Sequence, residues 1–515
     1  MFGKKLEEIL MKKPNVIMIN SDHQALHQWT FYENKPHRPY YEQFVREGAE
    51  FTHACCAAPL CGPSRRSLLT GLYPHAHKQY HNETNPPYAD EVYLDSLAEA
   101  GYRNYFFGKW HAGPGTALDH HCEGLSPKEY GNPYVTKEYK DYLKKRNLPA
   151  AAHRIERVFF WADKSQQAYQ KSSPDEIPRD GEIFKLQDPR HCCEAAYGIT
   201  VTPKETLEFF FLSELACEKL EELSTDGNDT PFSLRVDFWG PHQPYFPTQE
   251  YYDLYKEVSY PPYASFNSVL EGKPEVYFTE KNVPIGKDNR IVIPNALAWE
   301  DYEEMLKCCA AQITMIDEAI GRILNKVKEL GLEENTVIIW TADHGDGLAC
   351  HGGHFDKGSY LSQEVLRVPL GIKWKGMIDA GLKIDAPVCT VDVPVTIMDA
   401  AGLKYKNSVH GESLIPICMG KKMPEYAVSE TYGLGYGEYV KARAVTDGNY
   451  KLVVTLGQAY ELYDLKADPY ELKNRYDDPA YGAVQREMEE KLREWQRATG
   501  DEITFFDGSD LAECK

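Results

Sequence analysis

The sequence has no apolar run approaching the roughly 20 residues that a membrane-spanning helix needs. Met1 to Lys13 also lacks a long apolar stretch of the signal-peptide kind before Asn15-Val16-Ile17-Met18-Ile19, which reads as a strand. There is no C-x-x-C spacing of the zinc type, no internal repeat and no low-complexity tract. Positive charge is in deficit. Lys and Arg number 57 against 78 Asp and Glu, for a formal charge of −21, which argues against nucleic acid and anionic membrane as partners. The same charge repels an anionic substrate at long range, so a site for one needs a local cluster of positive groups. The 13 cysteines include the adjacent pairs Cys55-Cys56, Cys192-Cys193 and Cys308-Cys309. An odd, scattered set in a long chain fits free thiols in a reducing compartment better than a disulfide framework, so a cytoplasmic location is expected. The 515 residues suffice for a large core and two or three domains; no oligomeric state follows from them.

What is present is organised around residues Pro59 to Gly71. Cys61 stands four residues before Arg65, with Pro63 and Ser64 between them. Pro63 fixes its own φ and suits the first turn of a helix, where a missing N–H costs nothing. The run Ser64-Arg65-Arg66-Ser67-Leu68-Leu69 continues that helix and Gly71 closes it. Cys61 then lies just before a helix N-terminus, which favours an anion. Arg65 is about one turn along and can direct its guanidinium back toward Cys61. A nucleophile beside a cation at a helix start suits attack on an anionic ester; a buried structural cysteine near a helix cap is the competing reading. Upstream, the strand at Asn15 ends in Ser21-Asp22-His23-Gln24. A carboxylate at the end of a central strand is where open α/β sheets place ligand chemistry, although a lone Asp there also serves as a helix N-cap.

Cys61-Gly62-Pro63-Ser64-Arg65 followed by Leu69-Thr70-Gly71 resembles the signature of the type I sulfatases, Cys-x-Pro-Ser-Arg-x-x-x-Leu-Thr-Gly. Further runs resemble the family in order: Gly108-Lys109-Trp110-His111, Pro241-His242-Gln243-Pro244, Asp343-His344 after the strand Thr336 to Trp340, and His351-Gly352 through Lys357 and Glu364 to Arg367-Val368-Pro369. The likeness extends from Asn15 to about Asn474. It implies an alkaline phosphatase-like α/β fold, with a large, mixed, mainly parallel sheet sandwiched by helices and a smaller C-terminal α+β domain. The domain reading is 1–424 for the catalytic part, with insertions at about 126–202 and 250–300, and 425–515 for the C-terminal part. Substrate specificity is expected in the first insertion, because variable loops on a fixed scaffold select ligands.

The resemblance also implies a chemistry. Cys61 is oxidised to formylglycine by a maturation enzyme, and the aldehyde hydrate is the nucleophile. Asp22, Asp343 and His344, with the modified Cys61, bind a divalent metal, Ca²⁺ by its oxygen-rich ligands, with Mn²⁺ or Mg²⁺ as alternatives. His23 stands where many members carry a second aspartate and is expected beside the site without completing the coordination. Arg65, Lys109, His111 and Lys357 hold the charge on the transferring group, and His242 contacts the leaving group as a candidate general acid. Lys109 and Lys357 also have a plain reading as solvated lysines, and His242 as a structural residue in a rigid turn. The implied reaction is hydrolysis of a sulfate ester on a glycan or small organosulfate. The alternatives are a phosphonate monoester or phosphodiester hydrolase of the same superfamily, a non-enzymatic binding protein, and a phosphomutase or transferase, which would carry Ser or Thr in place of Cys61.

Overall fold

The computed structural model describes residues 13–161, 179–186, 196–279, 284–287, 290–291, 297–434 and 440–506. Its centre is the strand Asn15–Asp22, whose residues are all buried except the first. It runs parallel to Thr336–Ala342 on one side and to Phe232–Pro241 on the other. That explains its near-continuous apolar sequence, since parallel strands are covered on both faces. The sheet has eight strands, which begin, from one edge to the other, at Leu382, Ala49, Leu370, Thr336, Asn15, Phe232, Arg103 and Cys122. Only Leu370–Trp374 is antiparallel to its neighbours, so the sheet is mixed and mainly parallel.

Helices cover both faces. Side chains of successive strand residues point to opposite faces. The Tyr93 hydroxyl, from helix Tyr93–Glu99, reaches Met18 Sδ at 3.9 Å. Trp340, the register partner of Ile19, packs instead on Tyr41 of helix Pro39–Arg46, with ring centroids 5.0 Å apart. Helices Cys61–Thr70 and Asp392–Ala400 pack with Tyr93–Glu99 on the first face. Trp299–Glu329 packs with Pro39–Arg46 and Glu208–Thr225 on the second. The spacing of Ile313, Ile316, Ile320 and Leu324 predicts a helix from Leu306 to Leu330. Trp299–Glu329 begins seven residues earlier, because its first turn is acidic, with Glu300 and Asp301 complementing the dipole. The sequence from Pro203 to Glu222 reads as helical, but the segment is broken. Leu207 is extended (φ −81°, ψ 150°) between a short 3₁₀ turn and helix Glu208–Thr225.

The two segments expected as insertions contribute strands to one second sheet. Ala152–Trp161, from the first, pairs with Ile183–Lys185 and Ala196–Thr200 and also with Pro284–Lys287 from the second. Bridges from Tyr197 to Tyr245 and from Thr200 to Thr248 tie this sheet to the segment that follows Phe232–Pro241. The C-terminal part is a four-stranded antiparallel sheet, Ala427–Thr431, Ala442–Thr446, Tyr450–Thr455 and Glu461–Asp464, packed against helix Gly482–Thr499. It meets the main body beside the nucleophile loop, where the Glu430 N–H donates to Ala57 O (2.9 Å) and Ser429 Oγ to Cys56 O (2.6 Å). Among the described residues every cysteine is a free thiol, and no helix is long and apolar enough to cross a membrane.

Candidate active site

The adjacency of Asn15–Asp22 and Thr336–Ala342 brings two distant aspartates together. Ser21 lies opposite Ala342, and the Asp343 N–H donates to Ser21 O at 3.1 Å. Asp343 Oδ1 accepts the N–H groups of His23 and His344, both at 2.9 Å. Cys61 is the first residue of helix Cys61–Thr70, and Gly71, at φ 71°, ends that helix in the left-handed conformation that glycine tolerates. Its Sγ lies 3.7 Å from Asp22 Oδ1 and 3.2 Å from His344 Nε2. One ligand atom from each of Asp22, Cys61, Asp343 and His344 lies within 4.8 Å of the others, and all four residues are buried.

This donor set fits a divalent cation. Burial and the neighbouring Asp22 push the Asp343 carboxyl up to about 6, a repulsion that a cation at this point relieves. His344 Nδ1 faces Gly345 O at 2.8 Å. A carbonyl only accepts, so Nδ1 carries the proton and Nε2 turns toward the cluster. Burial alone would lower the His344 pKa, but Asp343 and Cys61 draw it up to about 9.

A positive rim surrounds Cys61. Gly108 has φ 127°, and a Cβ there would stand 1.8 Å from Asp237 O; the close approach aligns the Lys109 N–H on that same carbonyl at 2.9 Å. Lys109 Nζ binds Asp22 Oδ2 and lies 4.1 Å from the Tyr130 ring centroid. His111 places its ring within hydrogen-bonding reach of the Cys61 thiol. His242 donates from Nδ1 to Gln243 O (2.7 Å), which leaves Nε2 facing Lys357 Nζ at 3.1 Å. Lys357 also lies 2.9 Å from Asp356 Oδ1 and 3.5 Å from His23 Nδ1. Burial would raise the Cys61 thiol, yet Lys109, Lys357 and His344 hold it well below the ordinary range. The position is built for an anion.

Not every expected residue takes its expected place. Arg65 does not turn back to Cys61. Its Nε donates to Asp343 Oδ2 (2.8 Å) and its Nη1 to Asp237 Oδ2 (3.0 Å) and Lys109 O (2.8 Å). His23 does lie where expected, beside the four-residue cluster and outside it: its N–H reaches Asp343, while Nε2 lies 3.4 Å from Asp356 and 3.6 Å from Asp346. Asp237, Asp346, Asp356 and Tyr130 were not singled out from sequence. Asp237 lies within the buried strand Phe232–Pro241, level with Asn20 and with Gly108 at the end of the neighbouring strand, so it reaches the site from inside its own strand.

The Sulfatase family model matches residues 14–403, and that of the N-sulphoglucosamine sulphohydrolase C-terminal region matches 350–498. The chain belongs to the sulfatase family. It is therefore a hydrolase of sulfate esters within the alkaline phosphatase superfamily, and every residue of the cluster and its rim falls inside the family match. The N-acetylglucosamine-6-O-sulfatase of Bacteroides thetaiotaomicron is 24% identical, across 95% of this chain and 87% of that protein. The structure of BT4656 in complex with its substrate D-glucosamine-2-N,6-O-disulfate superposes with TM-score 0.67 at 20% identity, covering 95% of this chain and 99% of that one. The phosphonate monoester hydrolase of Agrobacterium radiobacter gives 0.71 at 21% identity, covering 94% and 96%. At these identities the likeness to solved structures establishes the fold.

Proposed function

We propose that this sulfatase cleaves the sulfate ester of a sulfated carbohydrate or related small organosulfate, with residue 61 as the nucleophile. The observation that carries the reading is the convergence of Asp22, Asp343 and His344 on Cys61 inside a rim of Lys109, His111, His242 and Lys357. A maturation enzyme that reads the Cys-x-Pro-x-Arg context, with its own oxidant, would convert Cys61 to formylglycine, whose aldehyde hydrate would supply the nucleophile at residue 61. Asp22, Asp343, His344 and residue 61 would hold a divalent cation, with Ca²⁺ favoured by the carboxylate oxygens, and such a cation would supply Lewis-acid polarisation.

The protein's own groups do the rest. Lys109 and Lys357 place fixed positive charge where the transferring group gathers negative charge. His111 orients residue 61. The fixed tautomer of His242 aims Nε2 at the same point, within hydrogen-bonding reach of Cys61, where it can hold a proton for the leaving alcohol. Arg65 balances the buried carboxylates. The sugar reading draws on the relatives, one of which is named for N-acetylglucosamine.

A second reading, phosphonate monoester or phosphodiester hydrolysis, is favoured by one observation: the first motif has a single aspartate, Ser21-Asp22-His23. Parallel turnover of sulfate and phosphonate esters, with mass spectrometry of the Cys61 peptide, tests both readings. The expected result is faster sulfate release, in a fraction whose peptide has lost H₂S and gained oxygen. Full activity with an unmodified thiol would overturn the assigned nucleophile.

A further inference from the structure

A cavity of about 530 Å³ opens beside His242, walled by the rings of Tyr130, Tyr134, Trp239 and Phe246, with Glu208 and Gln243 also in its lining. Its size is in the usual range for a small-molecule site. His242 belongs to both places: it lines the cavity, and its Nε2 lies 3.1 Å from Lys357 at the reacting centre. With the sulfate taken to lie on the cationic rim, this cavity is the space beyond His242 that is open to its alcohol portion. That step rests on the sulfatase reading above.

Glu208 is the unusual member of the wall. It is the first residue of helix Glu208–Thr225, reached through the extended Leu207, and only 4% exposed. Its Oε1 accepts the Gly240 N–H at 2.9 Å and the Trp239 N–H also addresses the carboxyl, whereas Oε2 is buried with no hydrogen-bond partner of normal geometry among the described residues. Buried polar atoms are nearly always paired, so an unpaired carboxyl oxygen in a cavity wall points to a ligand group that completes it. We infer that this cavity is the subsite for the leaving alcohol, and that Glu208 is a specificity-determining residue which hydrogen-bonds a hydroxyl of a pyranose ring that is uncharged apart from its one sulfate.

Two features favour that ligand. Aromatic walls match the apolar C–H faces of a pyranose, while Glu208 and the Gln243 carboxamide suit its hydroxyl rim, which a bare phenyl ring lacks. Burial also pushes the Glu208 carboxyl up to about 8. A neutral carboxyl both donates and accepts, as a hydroxyl does, and does not repel the nearby sulfate. A second sulfate or a uronate on the ring would have to lose its hydration against aromatic rings and a carboxyl.

The test compares wild type, Glu208→Gln and Glu208→Leu. The substrates are monosulfated neutral pyranoses, glucosamine-2-N,6-O-disulfate and 4-nitrophenyl sulfate, and binding of the unsulfated pyranoses is measured by calorimetry. Wild type is expected to favour a neutral monosulfated pyranose over the disulfate by about tenfold or more. Glu208→Leu should lose about tenfold or more in kcat/KM for that pyranose, and in affinity for its unsulfated product, a loss clearly larger than its loss on 4-nitrophenyl sulfate, which has no hydroxyl rim for Glu208 to address. Glu208→Gln keeps an acceptor for Gly240 and should retain part of both. Equal losses on the pyranose and aryl esters would make Glu208 a strut for the His242 turn and overturn the proposal; so would preference for the disulfate, or product binding that is absent or unchanged by Glu208→Leu. Turnover of no sulfate ester by wild type would defeat the sulfatase reading alone, since product binding reports on the subsite independently.

Discussion

Arg65 and Asp343 lie 278 residues apart in sequence and are joined by a hydrogen bond from Nε to Oδ2 at 2.8 Å, both side chains fully buried. The same guanidinium lies 3.0 Å from Asp237 and 3.8 Å from Asp22. It is the internal counter-charge for these carboxylates. An arginine fits this place better than a lysine because its planar fork addresses several acceptors at once.

Removing that counter-charge should be felt as instability first. Arg65→Ala leaves buried carboxylates unpaired, for which about 3–5 kcal/mol is the expected loss, read by urea denaturation of wild type and variant. Arg65→Lys should recover only part of it. An Arg65→Ala protein as stable as wild type but unable to turn over substrate would mean that the guanidinium serves the substrate and not the carboxylates.

Asp343→Asn keeps the shape of the side chain and removes its charge. The expected protein is folded, with bound divalent metal reduced to near background by elemental analysis and sulfate release reduced in step. Chelation of wild type should have the same effect, reversed by adding Ca²⁺. Stoichiometric metal in Asp343→Asn would place the cation elsewhere.

Lys109→Ala and Lys357→Ala should each lower kcat/KM by at least roughly 100-fold, the scale of a lost oxyanion donor. The loss should fall mainly on kcat, because the charges address the transferring group and not ground-state binding. Lys328, exposed on the last turn of helix Trp299–Glu329, is the control, and its alanine variant should match wild type. Steady-state kinetics on all three variants decides the matter.

Much of the site was legible because its parts are local. Asp22 and Asp343 each follow a β-rich apolar run, and Cys61 sits where Pro63 and Gly71 delimit a helix, so strand ends and a helix start could be located without knowing how they meet. The direction of Arg65 was not legible. It depends on Asp237 lying across the sheet, and one turn of helix offers a guanidinium several destinations. Glu208 was equally hidden, since a glutamate opening an amphipathic helix looks solvent-facing until Tyr134 and Trp239 enclose it. The early start at Trp299 was missed for a simpler reason: residues 299–305 are largely charged, and an apolar period says little about an acidic first turn.

The contact between the catalytic and C-terminal parts carries its own pH dependence. His75 Nδ1 lies 3.0 Å from Glu430 Oε2 and its Nε2 3.2 Å from Thr499 O. Both ring nitrogens face acceptors, so the ring is best satisfied as an imidazolium. Burial lowers its pKa, but the Glu430 hydrogen bond and charge outweigh this and raise it above the ordinary 6.5. Its stabilisation is therefore fully present below about 6.5 and is lost as pH rises through the folded value. The stability gap between wild type and His75→Gln should be about 1–2 kcal/mol at pH 6 and shrink toward pH 9, as measured by denaturant unfolding. A gap that widened with pH would reverse the sign assigned here.

The pairing of Phe159 and Phe160 with Lys287 and Gly286 constrains how a protein of this kind can change its diet. A chimaera that imports only the 126–202 segment from another sulfatase would meet a foreign strand at Pro284–Lys287, and a mismatched sheet edge invites slipped registers and association. The two segments must be exchanged as a pair, or accumulate matching changes in step. Libraries that randomise one segment alone should yield mostly unstable variants, and paired exchange of both should restore folding.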